Sequence, residues 1–237
     1  MDPYRTVIIA GGDGSLAGGY NVLAGRDGVA LGYLPAGFGN ATARLLRMPV
    51  DPVTLSAVLA AGDARPVDLV DVGGRLALFA GAGWDAVVAH RYAMAGARKT
   101  LGWGVSIARS LPDLARRFPV AVEADGEVVF EGPMEMLVVG TTPWYGRGLL
   151  VNPGAVHAEG RLTARVYPGP LPGFALEAVR WMRGRPPHAA PITAQSIVLR
   201  SSDGRPLPVQ ADGDAQGERE EWGFLIRPAA IQLIGRW

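Results

Sequence analysis

Gly11-Gly12-Asp13-Gly14-Ser15 stands between a short β-branched run, Arg5 to Ala10, and a segment that starts a helix at Ser15. Amides at a strand end and at a helix N-terminus then face the same way, an arrangement that holds phosphate without a lysine. A Cβ would keep the backbone away from the phosphate oxygens, hence the glycines. A tight turn that binds nothing has the same letters and stays open. Asp13 is harder to explain by a turn alone, because a carboxylate beside a phosphate repels it unless it acts on a metal, a ribose or a nucleophile. A second loop, Pro35-Ala36-Gly37-Phe38-Gly39-Asn40, closes the run VALGYLP at 29–35. Open α/β sheets collect ligands at such strand ends. Asn40 suits the N-cap of the helix ATARLLRM, so an ordinary capped turn is the alternative.

Val209-Gln210-Ala211-Asp212-Gly213-Asp214 sets two acids around a glycine directly after a strand. A general base tuned by its neighbours fits that pattern, and so does a plain hairpin turn. The polar turn Asn152 to Gly160, NPGAVHAEG, offers carbonyls and one carboxylate, which also suit a hard cation.

Two kinds of layer must position these loops. Two strand, glycine loop, helix units in succession predict a parallel α/β layer, followed by a helix from Asp51-Pro52 to about Gly62. From about Pro66 the chain offers short strands: PVDLVDV, RLALFAG, a hairpin across Asp125-Gly126, MEMLVVGT, LTARVYP, SIVLRSS, LPVQAD, GFLIRP and AIQLIGR. These predict a mainly antiparallel β-sandwich. A boundary at 63–66 divides the chain into 1–64 and 65–237. The first layer has only two strands, fewer than a stable open sheet needs, so it leans on the second domain or lacks an N-terminal piece. Amphipathic stretches interrupt the strands at Gly102 to Arg117 and Leu171 to Arg183. In and beside the first of them, Leu101, Val105, Ile107, Ala108, Leu111 and Leu114 read as core. The alternative is a lip dipping into a bilayer, with Arg109, Arg116 and Arg117 on the headgroups.

Composition excludes several classes. A net charge of +1 over 237 residues does not suit nucleic acid binding. Without cysteine there is no disulfide, thiolate metal site or cysteine nucleophile. The histidines, His90, His157 and His188, fit no HExxH zinc pattern, and Lys99, the sole lysine, follows no GxxxxGK[ST] loop. No run of ~18 apolar residues and no signal peptide are present, which points to the cytoplasm with at most peripheral membrane contact.

In order along the chain, GGDGS at 11–15, PAGFGN at 35–40, PVDLV at 66–70, NPGAVHAEGRL at 152–162 and ADGD at 211–214 resemble the motifs of the diacylglycerol kinase catalytic family. That family includes bacterial lipid kinases and is related to sphingosine and ceramide kinases. The resemblance runs over nearly the whole chain. It implies a nucleotide-binding α/β domain like that of NAD kinases, shortened here, followed by a β-sandwich that binds lipid. It implies ATP with its phosphates on Gly11, Gly12, Asp13, Gly14, Ser15 and Leu16, and beside Gly37 and Phe38. Asp214, where the family has glutamate, would accept the proton of a lipid hydroxyl, with Asp13 also catalytic. Magnesium would sit on the carbonyls of Val156 and Arg161 and the carboxylate of Glu159, with Asp68 and Asp212 in the surrounding network. The implied setting is phospholipid biosynthesis at the inner face of the membrane, on a diacylglycerol-like lipid, with a homodimer left open.

The match departs from the family at several positions. Phe38 stands for a threonine, Ala41 for an aspartate, Ala17-Gly18 for Asn-Glu, and Asp214 is one methylene short of glutamate. The family's opening strand, which covers the adenosine, would lie upstream of Met1. A catalytically silent lipid- or nucleotide-binding relative is therefore the alternative. A NAD kinase-type enzyme is a third reading, expected to lack the DGD-terminated sandwich.

Overall fold

The computed structural model describes residues 5–37, 39–94, 100–115, 117–145, 148–169 and 171–237. The chain begins with β1 (Thr6–Gly11), α1 (Asp13–Leu23), β2 (Ala30–Pro35), the short α2 (Ala41–Leu45) and α3 (Pro52–Ala61). β1 and β2 pair in parallel from Thr6↔Ala30 to Gly11↔Pro35, so both glycine loops leave the same end of the sheet. α3 obeys its local signals. Asp51 Oδ2 accepts the Thr54 amide at 2.8 Å, Pro52 opens the first turn, and Gly62 closes the helix at φ 66°.

β3 (Ala64–Val72), β4 (Arg75–Ala77) and β5 (Phe79–Gly83) lead into α4 (Trp84–Met94) and α5 (Thr100–Ser110). A 3₁₀ turn at Leu111–Ala115 precedes β6 (Phe118–Ala124), β7 (Glu127–Met134) and β8 (Met136–Gly140). Then come a small hairpin of β9 (Trp144–Tyr145) and β10 (Leu149–Leu150), β11 (Leu162–Tyr167) and α6 (Leu171–Met182). The chain closes with β12 (Ile192–Ala194), β13 (Ser196–Ser201), β14 (Leu207–Ala211), β15 (Asp214–Arg219) and β16 (Glu221–Ile234).

Two large sheets result, β1-β2-β16-β13-β6-β7 with β3 and β4 attached through β16, and β12-β11-β8-β5-β14-β15. Val120, Leu137, Leu162, Trp222 and Phe224 fill the space between them. A separate core around Leu16, Tyr20, Leu31, Tyr33, Leu69 and Leu233 packs the helices onto the first strands. The fold is thus a short α/β layer followed by a mainly antiparallel β-sandwich, as the element pattern implies.

β16 joins the two layers. The runs GFLIRP and AIQLIGR, expected as separate strands, form one strand of 14 residues, bent where the register slips between Arg227 and Ile231. Its first half pairs with β13, while Gln232 and Leu233 run parallel to β2. The two-stranded layer therefore leans on the second half of the chain, which supplies its third parallel strand. An irregularity inside a strand and a turn between strands look alike in sequence.

The helices bring two further corrections. α4 is not expected from the sequence, because its buried face, Ala86, Val88 and Ala89, is small and partly β-branched. On α5, Ser106 and Ser110 are buried, while Val105, Ile107 and the following Leu111 are 39%, 41% and 51% exposed, and Ala108 is exposed too. The core reading of this stripe is overturned for these residues. The reason is polar docking: the Ser110 carbonyl accepts Trp84 Nε1 at 2.7 Å and its hydroxyl accepts Arg91 Nη1 at 2.9 Å. The side chains of Leu101 and Leu114, and Arg116 as a whole, lie outside the described residues.

Candidate active site

The two glycine loops interlock at the ends of β1 and β2. The Ala36 amide donates to the Gly11 carbonyl at 2.8 Å. A Cβ on Gly37 would collide with the Gly12 Cα and lie 2.8 Å from its nitrogen, and one on Gly12 would meet the Gly37 Cα at 3.2 Å. Glycine is required here by the packing of one loop on the other. Gly14 differs: nothing lies within 4 Å of a Cβ placed on it, so it borders open space. Asn40 folds the second loop, its Oδ1 accepting the Gly37 amide at 3.1 Å and the Tyr33 hydroxyl at 2.9 Å.

Asp13 ties the loops to α2. Its Oδ2 accepts the Ala41 amide at 2.9 Å and its Oδ1 the Thr42 amide at 3.0 Å. Asn40, expected as the cap of this helix, makes no capping bond with its side chain. The cap comes from 28 residues earlier in the chain. Two amides at a helix N-terminus thus balance the charge that would otherwise repel phosphate, and they give Asp13 a positioning role. Leu16 is a second correction. Its side chain is fully buried in the core, and its amide donates to the Gly12 carbonyl at 3.1 Å, leaving neither for a ligand. The Ser15 amide is engaged in the same way at 3.0 Å, while the residue itself is exposed. Phe38 lies outside the described residues.

The acids of the third motif sit on a two-residue hairpin between β14 and β15, with Asp212 at φ 50° and Gly213 at φ 89°. Left-handed geometry at both positions is what an Asp-Gly hairpin supplies, so the hairpin reading of this motif holds. Asp212 Oδ1 accepts the amides of Leu78 and Phe79, each at 3.1 Å, and its own amide donates to the Phe79 carbonyl at 2.9 Å. Burial pushes this carboxyl well above its ordinary value; the two amides oppose that, and the charges of Asp13 and Asp214 add to it. Acids from two distant motifs therefore share one neighbourhood. Asp214 is exposed, with its Oδ2 3.2 Å from Arg75 Nη2. Asn21 of α1 holds the strand of Arg75 in place, donating to the Leu76 carbonyl and accepting its amide, both at 2.8 Å. Arg75 and Asn21 are missed by sequence reasoning, since these contacts span 139 and 55 residues with no local signal.

Asp68 is buried, and its carboxylate accepts the amides of Gly160 at 2.6 Å and Ala229 at 2.8 Å. It fastens the 152–161 turn onto β3 and β16. Val156, Glu159 and Arg161 lie on the exposed part of that turn, and Arg161 Nη2 donates to the Thr193 carbonyl at 3.0 Å. Among the described residues, no three acidic or histidine side chains converge to hold a metal ion. Two carbonyls and the Glu159 carboxylate are a hard-oxygen set that suits magnesium or calcium, with few protein charges and therefore weak retention.

Residues 1–72 match the family model described as the diacylglycerol kinase catalytic domain. The chain is 31% identical over 164 residues to a diacylglycerol kinase of Mycobacterium tuberculosis (strain CDC 1551 / Oshkosh), covering 66% of this chain and 52% of that protein. It thus spans about half the length of that relative. It is 27% identical over 236 residues to a probable lipid kinase YegS-like of Pseudomonas aeruginosa, covering 97% of this chain and 76% of that one. In fold it is similar to a diacylglycerol kinase from Bacillus anthracis str. Sterne, with TM-score 0.78, 22% identity, and coverage of 98% and 78%. An NAD kinase from Archaeoglobus fulgidus gives TM-score 0.55 and 14% identity at the same coverages. That last likeness corrects one expectation: the sandwich does not separate the two kinase classes, whereas the family model and the relatives do.

Proposed function

Because the chain belongs to the diacylglycerol kinase catalytic family, we propose that it is an ATP-dependent lipid kinase acting on a diacylglycerol-like membrane lipid. In this reading residues 1–64 hold the nucleotide and 65–237 the lipid. The supporting observation is that Asp212, on the turn that carries Asp214, feels the charge of Asp13 in the glycine motif, where Gly14 borders open space.

The α1 N-terminus would hold the ATP phosphates through amide hydrogen bonds and the helix dipole. The lipid hydroxyl oxygen attacks the γ-phosphorus, and its proton passes to the Asp214 carboxylate. The bond from the γ-phosphorus to its bridging oxygen breaks, and ADP leaves. Arg75, paired with Asp214, directs the carboxylate and brings positive charge to the phosphate side of the cleft. Magnesium would supply positive charge against the phosphates, and the carbonyls of Val156 and Arg161 with the Glu159 carboxylate would be the residues to hold it.

A lipid substrate brings the protein to a bilayer. Met94 of α4 is 77% exposed, and so in part are Val105, Ile107 and Leu111 of the α5 segment, which also carries the exposed Arg109. This end of the helix pair fits a peripheral contact at the inner face of the membrane. No described helix is long and apolar enough to cross one.

The test is transfer of label from γ-labelled ATP to diacylglycerol in mixed micelles, read by lipid extraction. Labelled lipid supports the assignment. Bound ATP without labelled lipid overturns it in favour of a silent binder.

A further inference from the structure

The second sheet has an outer face turned away from the sandwich core. Across it Arg165 pairs with Val138, Val138 with Gly81, and Gly81 with Gln210. Gly81 leaves a gap in this row that is filled from above: a Cβ there would collide with Asp85 Oδ2 and with the Tyr145 hydroxyl. Asp85 stands in the first turn of α4 and Tyr145 on β9. The Tyr145 hydroxyl donates to Asp85 Oδ2, and Gln210 Nε2 donates to that oxygen at 3.1 Å and to the Tyr145 oxygen. The other end of the same side chain, Gln210 Oε1, accepts the Gly213 amide at 2.7 Å. Tyr145 also packs on Phe79, with ring centroids 4.4 Å apart, and the Phe79 amide is one of those holding Asp212.

This arrangement is costly for the fold. Among the described residues, Asp85 Oδ1 is buried and finds no hydrogen-bond partner at normal geometry. Burial raises the carboxyl to about 6, against the opposing bonds from Tyr145 and Gln210. An apolar group filling the space over Gly81 would avoid that penalty, so packing alone does not account for an acid here. What an apolar group cannot do is accept from Gln210 and Tyr145, so the Gln210 amide would lose one of its two acceptors and Tyr145, the other, would lose its own anchor, leaving Gln210 less firmly held toward Gly213.

We infer that Asp85 is a positioning residue for phosphoryl transfer: through Gln210 it fixes the 212–214 turn, and with it the direction in which Asp214 faces the nucleotide loop. The role in transfer rests on the lipid kinase reading above; the coupling to the turn does not. A misplacement of the reacting group by ~1 Å costs about 100-fold in rate, so a loosened turn should act on turnover and not on nucleotide affinity.

The experiment has two readouts on the full chain, lipid phosphorylation kinetics and the hydrogen-exchange rate of the Gly213 amide by NMR. In Asp85→Ala, kcat is expected to fall about 10- to 100-fold with KM for ATP within about twofold, and Gly213 exchange to accelerate at least about tenfold. Asp85→Asn keeps an acceptor for Tyr145 and Gln210 and is expected to hold both values near wild type. Unchanged Gly213 exchange in folded Asp85→Ala overturns the inference, as does an Asp85→Asn loss equal to that of alanine. Should Asp85→Ala not fold, Gly81→Ala displaces the same two groups and is judged identically. A wild type without lipid phosphorylation refutes the kinase reading, while the amide exchange still decides the coupling.

Discussion

Arg75 Nη2 lies 3.2 Å from Asp214 Oδ2, joining β4 to the first residue of β15 across 139 residues. Both side chains reach solvent, and such a pair contributes at most about 1 kcal/mol to stability. Its value is directional, since it keeps the carboxylate beside the turn that Asp212 anchors. Asp214→Asn retains the shape and removes the basicity. Lipid phosphorylation is therefore expected to fall by about 100-fold or more, with ATP affinity by calorimetry unchanged. Asp214→Glu, which restores the family's side chain, is expected to remain active. Equal turnover by wild type and Asp214→Asn would refute the role.

Gly37 lies in the second glycine loop and Gly14 in the first turn of α1, and their substitutions should fail differently. A methyl on Gly37 meets the backbone of Gly12, which cannot rotate away as a side chain can. Gly37→Ala is expected to lower the melting temperature and weaken ATP binding together. Gly14 faces open space, so Gly14→Val should leave the melting temperature near wild type and abolish ATP binding by filling the phosphate site. Parallel thermal melts and calorimetry separate the two; ATP affinity that survives in Gly14→Val would remove the loop from the nucleotide site.

What was legible in the sequence is what local chemistry decides. The glycine loops follow their strands, Asp51, Pro52 and Gly62 bound α3, and Asp212-Gly213 turns a two-residue hairpin. What was not legible depends on partners far along the chain. Asp13 caps a helix 28 residues away, and Gln210 meets Tyr145 over 65 residues and Asp85 over 125. The orientation of α5 belongs to this group as well. Ser110 turns inward because Arg91 and Trp84 of α4 donate to its hydroxyl and its carbonyl, and α4 itself carries no clear periodic signal. Continuity of β16 across its irregularity is decided by β2 and β13, neither of which adjoins it in sequence.

The exposed end of the α4 and α5 pair gives a prediction independent of catalysis. Ile107 and Leu111 make little of the buried core, so replacing both by glutamate should leave the denaturant midpoint nearly unchanged. Binding to anionic phospholipid vesicles, measured by sedimentation, is expected to drop at least about tenfold, through lost apolar contact and added repulsion. Undiminished sedimentation of Ile107→Glu/Leu111→Glu would place the membrane contact elsewhere.

Asp85 sets a pH dependence of stability whose sign follows from its environment. Its carboxyl titrates near 6 in the fold and at its ordinary 3.8 when unfolded, because burial outweighs the bonds from Tyr145 and Gln210. Between those values the folded state binds more protons than the unfolded one, so the free energy of unfolding falls as pH rises through this window. Below it both states are protonated, and above it both are ionised, so the contribution is flat on either side. A displacement of about two pH units corresponds to about 3 kcal/mol. Asp212 and every other titrating group are common to wild type and Asp85→Asn, so their contributions cancel in the difference between the two proteins. Asp85→Asn is therefore expected to gain on wild type by about 2 kcal/mol between pH 4 and pH 8, with nearly all of the change occurring between pH 4 and pH 7. Urea unfolding at unit pH steps measures it. A stability difference that does not move with pH would mean that Asp85 is as easily ionised inside the protein as in water, and that the buried Oδ1 has a partner.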